Sequence, residues 1–217
     1  MKKSPCITLL VLLFFVTNVF AVAPQTHVAR KPWGIFAYYG QLINKPLNQI
    51  LFLRFPFQES GAKLYSLEPS YDLSPDNKLN AYAKYINASV GFALNATYQN
   101  DPQGDIYELN PYIKLTWSDF PWNRYLLTPL SFGEGVSYAT RLSDSELRIK
   151  DNKKGVEQAK NPKRFLNYLM FEAAFSLPAY PNFQVVYHIH HRSGCFGLYE
   201  ASNSGSTAIG VGVRYLF

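Results

Sequence analysis

The chain ends on the stretch Thr207-Ala208-Ile209-Gly210-Val211-Gly212-Val213-Arg214-Tyr215-Leu216-Phe217. Its larger apolar side chains recur at every second position, which is the period of a β-strand whose two faces have different surroundings. One face carries Ile209, Val211, Val213, Tyr215 and Phe217, and the other carries Ala208, Gly210, Gly212 and Arg214. The pattern predicts an amphipathic final strand that stops on an aromatic residue.

The same alternation recurs upstream along most of the chain. Counting back from Phe217, it predicts strands near 206–217, 184–193, 165–177, 127–139, 106–117, 88–98, 63–72 and 48–57. The segment Trp33–Ile43 also has the pattern of a strand, which would make nine. Either one of the two N-terminal segments is not a strand, or the two form one interrupted element.

The N-terminal segment 1–21 is predicted to be a secretory signal peptide. Lys2 and Lys3 precede an apolar run from Ile7 to Phe20, and small residues follow at Ala21 and Ala23. Cleavage after Ala21 would leave residues 22–217 as a single domain, with cleavage after Ala23 as the alternative. No later stretch approaches the roughly 20 apolar residues of a spanning helix, which excludes a helical membrane protein.

The composition narrows the class of protein further. With 47% hydrophobic, 16% aromatic and 17% charged residues, a disordered chain is excluded. The net charge is +6, or +4 once Lys2 and Lys3 of the leader are removed. The segment Arg141–Arg164, with eight Lys or Arg and four Asp or Glu, accounts for all of that +4. A single basic loop argues against nucleic-acid binding, which needs a basic folded face. Removal of Cys6 with the leader leaves Cys195 alone, so no intramolecular disulfide is expected.

An exported chain whose last amphipathic strand ends in Phe217 resembles the bacterial outer-membrane barrels, whose assembly machinery reads such a terminus. The fold expected from this resemblance is an all-β, eight-stranded antiparallel transmembrane β-barrel. With Phe217 in the periplasm, 118–123 and 178–182 are short turns and 140–164 and 194–205 are outer loops. An eight-stranded barrel is filled by its own side chains, which argues against an open porin. The polar residues of inward parity are expected to form an internal network: Arg54, Glu68, Glu108, Lys114, Glu172, His188, His190 and Arg214.

The strand Phe183–Ser193 departs from this pattern at its outer end. Strict alternation places His191 and Ser193 on the same lipid face as Val185 and Ile189. Unpaired polar groups in hydrocarbon cost several kcal/mol, so two of them call for an interfacial or a functional explanation. Either both side chains are simply wetted among lipid head groups, or the imidazole acts as general base for the Ser193 hydroxyl. His188 and His190 have the opposite parity, so no metal site and no cofactor are expected.

The string His191-Arg192-Ser193, followed by a last strand ending Val213-Arg214-Tyr215-Leu216-Phe217, resembles the PagL-type lipid A 3-O-deacylases, also grouped as acyloxyacyl hydrolases. The stretches Phe120-Pro121-Trp122-Asn123 and Gly133-Glu134-Gly135-Val136-Ser137-Tyr138 add to the likeness. The resemblance implies Ser193 as nucleophile, His191 as base and a glutamate as third member. Gly205 stands near the family's Glu position, so Glu200 is the first candidate acid and Glu134 the second. Gly194 replaces an Asn of the family, which leaves backbone N–H groups as oxyanion donors.

Three functional hypotheses remain open from the sequence. The first is an outer-membrane esterase that removes the 3-position acyl chain of lipid A, with lipopolysaccharide as partner and no nucleic acid. The basic loop Arg141–Arg164 would attract lipid phosphates. The alternative is a non-enzymatic outer-membrane barrel with a structural, adhesion or binding role. The third, a soluble lipocalin-like barrel, fits the size but not the outward apolar faces. Which acyl chain is cleaved and the oligomeric state stay open.

Overall fold

Eight antiparallel strands close into a barrel. The computed structural model describes residues 31–43, 47–51, 59–151, 155–158, 162–194 and 205–217. The barrel strands, in spatial order from β1, are β1 (Trp33–Ile43), β2 (Glu59–Asp72), β3 (Ser89–Asn100), β4 (Ile106–Trp117), β5 (Leu130–Ala139), β8 (Phe165–Phe175), β9 (Phe183–Ser193) and β10 (Gly205–Leu216). Pairing of β1 with β10, from Gly34 opposite Leu216 to Leu42 opposite Ala208, closes the sheet. The predicted fold class is confirmed.

Short elements occupy the connections. They are helix α1 (Leu47–Leu51), helix α2 (Lys78–Ala83) with a 3₁₀ turn at Lys84–Ile86, helix α3 (Asp144–Leu147), and a hairpin of β6 (Arg148–Asp151) with β7 (Gly155–Gln158). Within the described ranges, no helix has the length and apolar character needed to cross a membrane. The first and last strands begin and finish at one end of the barrel, called here the terminal end. The opposite end, where β9 finishes at Ser193, is called the distal end.

The structure shows which of the two N-terminal segments is a barrel strand. Trp33–Ile43 is the first barrel strand, and the predicted strand 48–57 is wrong at its start because Leu47–Leu51 is helical. As a helix, the segment places Leu47, Ile50 and Leu51 on one face by i, i+3, i+4 spacing, and that face packs on the barrel. Residues 52–58, with Arg54, and the predicted signal peptide lie outside the described residues. The other seven predicted strands agree with the structure to within a few residues at their ends.

The two faces of the barrel differ in chemistry, as the alternation predicts. Side chains of outward parity are apolar and exposed along most strands, for example Val211 at 57% and Val185 at 51%. Such a band is suited to hydrocarbon, since the closed sheet satisfies the backbone polar groups internally. An aromatic row crosses four neighbouring strands of this wall, formed by Tyr39, Tyr65, Tyr98 and Tyr107.

The inward face carries a buried charge network, as predicted for these residues. Arg214 donates to both carboxylate oxygens of Glu172 at 2.7 and 2.8 Å, and Nδ1 of His188 lies 2.9 Å from the same carboxylate. Nε2 of His190 lies 2.9 Å from Glu108, and its Nδ1 lies 3.1 Å from the Tyr38 hydroxyl. Buried charges of this kind are tolerated because each is paired.

Helix α3 closes the distal end of the lumen through one inward arginine. The Arg192 guanidinium, 1% exposed, donates to Glu146 at 2.6 Å, to Ser137 Oγ at 2.7 Å and to the Arg164 carbonyl at 2.9 Å, and approaches Glu108 at 3.4 Å. Ser206 of β10 also donates to Glu146, at 3.2 Å. Burial raises the pKa of the Glu146 carboxyl, and the Arg192 charge opposes that rise.

Candidate functional site

Four polar side chains form a cluster on the outward wall at the distal end of β8, β9 and β10. They are Asn167, His191, Ser193 and Thr207, called here the outer-wall cluster. Apart from the glycine and alanine positions, the other outward residues of these strands are apolar or aromatic, such as Phe171, Ile189 and Val213. Strand pairing brings the four together, since His191 is opposite Thr207 on β10 and Ser193 is opposite Asn167 on β8.

His191 is held by a hydroxyl from the neighbouring strand. Its Nδ1 lies 2.8 Å from Thr207 Oγ1, and Thr207 is only 4% exposed although it faces outward. A hydroxyl can accept a hydrogen bond from Nδ1–H, and that tautomer leaves Nε2 unprotonated and able to take up a proton. The contact therefore orients the ring, and in the tautomer with Nδ1–H the imidazole is able to act as a base.

Ser193 lies between a small residue and an amide. Its pairing partners are Gly205 on β10 and Asn167 on β8. Asn167 Nδ2 donates to the Gly135 carbonyl at 3.1 Å, whereas its Oδ1 is buried with no hydrogen-bond partner among the described residues. No hydrogen bond joins Ser193 to His191 in the described part of the chain. Catalytic hydrogen bonds are often formed only when substrate is bound, so this geometry does not exclude the pair.

Of the two candidate acids, only Glu134 belongs to the described residues. Glu200 lies outside the described residues. Glu134 points outward and is exposed, and it is opposite Leu169, which in turn is opposite His191. One whole strand therefore separates the Glu134 carboxylate from the imidazole, a span of about 10 Å at usual strand spacing. Glu134 does not contact His191 in this arrangement.

The residue between His191 and Ser193 anchors them from the other side of the wall. Because alternate side chains point to opposite faces, Arg192 projects into the lumen, where it binds β4, β5, α3 and the residue before β8. A rigid inner contact at this position restricts the backbone that carries both outward side chains. The lumen network thus acts as a support for the outer-wall cluster.

The described residues contain no group of three or more His, Cys, Asp or Glu side chains able to hold a metal ion. His188 and His190 point into the lumen and His191 points out, as the alternation predicts. Cys195 lies outside the described residues.

Sequence reasoning missed two members of the cluster, Asn167 and Thr207. In both cases the sequence shows a polar residue at a position of outward parity. Asn167 interrupts the outward series Phe165, Leu169 and Phe171, and Thr207 begins the outward series of β10. Applying the polar-on-the-lipid-face test to every strand, and not to β9 alone, would have identified them.

Comparisons with known proteins support the fold. The crystal structure of the outer membrane enzyme PagL is similar, with a TM-score of 0.54 and 13% identity over 85% of this chain and 99% of that one. Neisserial surface protein A (NspA) gives a TM-score of 0.45 at 10% identity over 85% and 97% of the two chains. Ail, the attachment invasion locus protein of Yersinia pestis, gives 0.42 at 13% over 87% and 99%. No family model and no curated protein matches the sequence. At 13% identity the likeness to PagL shows the barrel fold and nothing finer.

Proposed function

We propose that the protein is a bacterial outer-membrane esterase that hydrolyses an ester-linked acyl chain, at the 3-position, of lipid A. Ser193 is the nucleophile and His191 the general base. The observation that carries the proposal is the outer-wall cluster, in which a histidine and a serine two residues apart face outward among apolar side chains. A site on this surface meets a membrane lipid laterally, without a channel.

The chemistry follows the ordinary course of a serine esterase. Ser193 Oγ attacks the ester carbonyl carbon while Nε2 of His191 takes its proton. The bond from that carbon to the sugar oxygen breaks, and His191 returns the proton to the leaving oxygen. Water then attacks the acyl-serine, again with His191 as base, and releases the fatty acid. The Gly194 backbone N–H next to the nucleophile is the candidate oxyanion donor.

Two further features of the chain suit an anionic lipid substrate. The cluster lies at the distal end, which faces the lipopolysaccharide leaflet if both termini are periplasmic, and the loop Arg141–Arg164 at the same end has an excess of basic residues. Exposed cations near the surface raise the local concentration of phosphorylated lipids.

The test is mass spectrometry of lipid A from cells that produce the wild type, Ser193→Ala, His191→Phe, or the control Ser74→Ala, an exposed serine of the β2–β3 connection. We expect the wild type and Ser74→Ala to remove one hydroxyacyl group. Ser193→Ala and His191→Phe should lower the rate roughly 1,000-fold or more while the heat-modifiable barrel band persists. An active Ser193→Ala protein would refute the mechanism.

A non-enzymatic barrel with a structural, adhesion or binding role is the second candidate. It is favoured by one observation, that within the described residues the group on His191 Nδ1 is a hydroxyl and not a carboxylate. Unchanged lipid A in all four strains, with the wild-type barrel present in the outer membrane, would establish this alternative over the esterase.

A further inference from the structure

The outward wall next to the outer-wall cluster is covered by part of the protein itself. Helix α1 packs against Ile43 of β1 and against four further outward side chains, called here the apolar strip: Phe171 of β8, Tyr187 and Ile189 of β9, and Ile209 of β10. Ile50 of α1 is 0% exposed and Ile189 beneath it is 5% exposed. Val185, on the same face of β9, is 51% exposed. Ile189 is therefore withdrawn from the surrounding lipid, and Phe171, Tyr187 and Ile209 are partly covered.

The strip directly adjoins the candidate catalytic pair. Ile189 is two residues before His191 on the same face, and it is opposite Phe171 on one side and Ile209 on the other. Moving from Ser193 through His191 to Ile189 leads from the distal end towards the middle of the barrel wall. The strip thus lies on the bilayer-centre side of the cluster.

The position fits the geometry of a lipid ester. In a bilayer the ester linkages lie near the head-group boundary and the acyl chains run towards the centre. A lipid whose ester carbonyl reaches Ser193 must direct its acyl chain along the wall below His191. That path is the apolar strip, whose side chains are aliphatic or aromatic.

The apolar composition of helix α1 allows it to occupy the same surface as a lipid acyl chain. Its sequence Leu-Asn-Gln-Ile-Leu contains no charged residue, and Leu47, Ile50 and Leu51 form one apolar face by i, i+3, i+4 spacing. Five residues make a helix too short to be stable alone, so its contact with the strip determines whether it forms. Such a helix can be displaced by a competing apolar ligand.

We propose that the apolar strip is the binding site for the acyl chain to be cleaved, and that helix α1 occupies it in the resting protein. The substrate is a long-chain acyl ester of a membrane lipid, which binds by displacing α1. The inference rests on the proposed function for the cleavage, whereas binding of an acyl chain to the strip is independent of any reaction.

The experiment weakens the contact of α1 with the barrel wall and measures acyl-chain binding to the strip and the rate of acyl release. The double variant Leu47→Ser/Ile50→Ser places hydroxyls on the face that contacts the barrel, and the control Leu79→Ser alters an exposed leucine of helix α2. In a Ser193→Ala background, each protein is reconstituted in phosphatidylcholine vesicles that contain a phospholipid with a diazirine on its acyl chain. Light-induced adducts are then mapped by peptide mass spectrometry.

We expect the double variant to carry roughly tenfold more adducts on Tyr187, Ile189 and Ile209 than the parent or Leu79→Ser, because burial of one isoleucine corresponds to at least that factor in the closed-to-open equilibrium. Adducts on Val213, exposed on the same wall, should be equal in all three. Unchanged labelling of the strip would overturn the proposal whether or not the protein is an esterase.

The rate measurement is made with Ser193 intact. Acyl release by the double variant should exceed that of the wild type and of Leu79→Ser, because displacement of α1 is no longer required. A lower rate in a folded double variant would overturn the proposal, since α1 would then be part of the working site. Absence of release in the wild type would refute the proposed function, and the labelling result would still decide whether the strip binds acyl chains.

Discussion

Replacing Arg192 by methionine should strongly destabilise the barrel, although the residue lies between the two members of the candidate catalytic pair. The guanidinium is buried at 1% exposure and has contacts on β4, β5, α3 and the carbonyl of Arg164. Methionine has a similar apolar stem, so the change removes the charge and the donors more than it removes volume.

The size of the destabilisation follows from the donors that Glu146 and Glu108 keep after Arg192 is replaced. Glu146 loses its 2.6 Å partner and retains the donors Ser206 Oγ and the Ser143 backbone N–H, while Glu108 retains His190. Removal of one partner of a buried ion pair costs roughly 3–5 kcal/mol, and we expect about 3 kcal/mol because both carboxylates keep other donors. Arg192→Lys keeps the charge but loses the forked geometry, so about half of that loss is expected.

The assay is urea unfolding of the protein in lipid vesicles, followed by tryptophan fluorescence. Arg124→Met, at an exposed position where the guanidinium stacks on Tyr125, is the control and should change the unfolding free energy by less than about 0.5 kcal/mol. In the double variant Arg192→Met/Glu146→Gln the loss should be smaller than the sum of the single losses, because the buried charge that loses its arginine partner is no longer present. Strict additivity, or an Arg192→Met protein as stable as the wild type, would refute the reasoning.

Two other substitutions test the outer-wall cluster and the lumen network. Thr207→Val removes the hydroxyl 2.8 Å from His191 Nδ1, so we expect a roughly tenfold lower kcat for acyl release, which is the value of one hydrogen bond. Thr207→Ser keeps the hydroxyl and should retain most of the rate. Equal kcat values for the Val and Ser variants would show that the contact does not orient the ring. Glu172→Gln leaves Arg214 with Glu68 at 3.5 Å as its remaining ion-pair partner, so about 3 kcal/mol of stability should be lost in the same urea assay, compared with almost none for the exposed control Asp119→Asn; a midpoint unchanged from wild type would contradict it.

Much of the fold was predictable because a barrel wall imposes a strict period of two. Every inward or outward residue of β4, β9 and β10 has the face that alternation gives, and strand ends differ by a few residues. The N-terminal ambiguity arose because a short apolar run fits a strand and a helix equally well. At Leu47–Leu51 the outcome depends on a tertiary contact, the packing of Ile50 on Ile189, which local pattern does not contain.

The site was predictable only along one strand. His191 and Ser193 were recognisable because both break the outward apolar series of β9. Thr207 is 16 residues from His191 and Asn167 is 26 residues from Ser193 along the chain. Their proximity in space depends on which strands pair and in which register. The packing of α1 on the outer wall could not be foreseen, since nothing in the sequence shows that Leu47–Leu51 contacts β8, β9 and β10.

A purely interfacial role of the cluster does not account for one of its buried polar atoms. If its residues marked only the place where the wall leaves the bilayer, each polar group would be wetted by solvent or paired. Thr207 is 4% exposed and bonded to His191, but Asn167 Oδ1 is buried without a partner among the described residues. Such an orphaned acceptor costs about 1–3 kcal/mol, and a leucine in its place would fit the outward series of β8 without that cost. The proposed lipid site would account for this atom, because a hydrogen-bond donor of a bound lipid could reach Asn167 Oδ1, opposite Ser193 and next to the apolar strip.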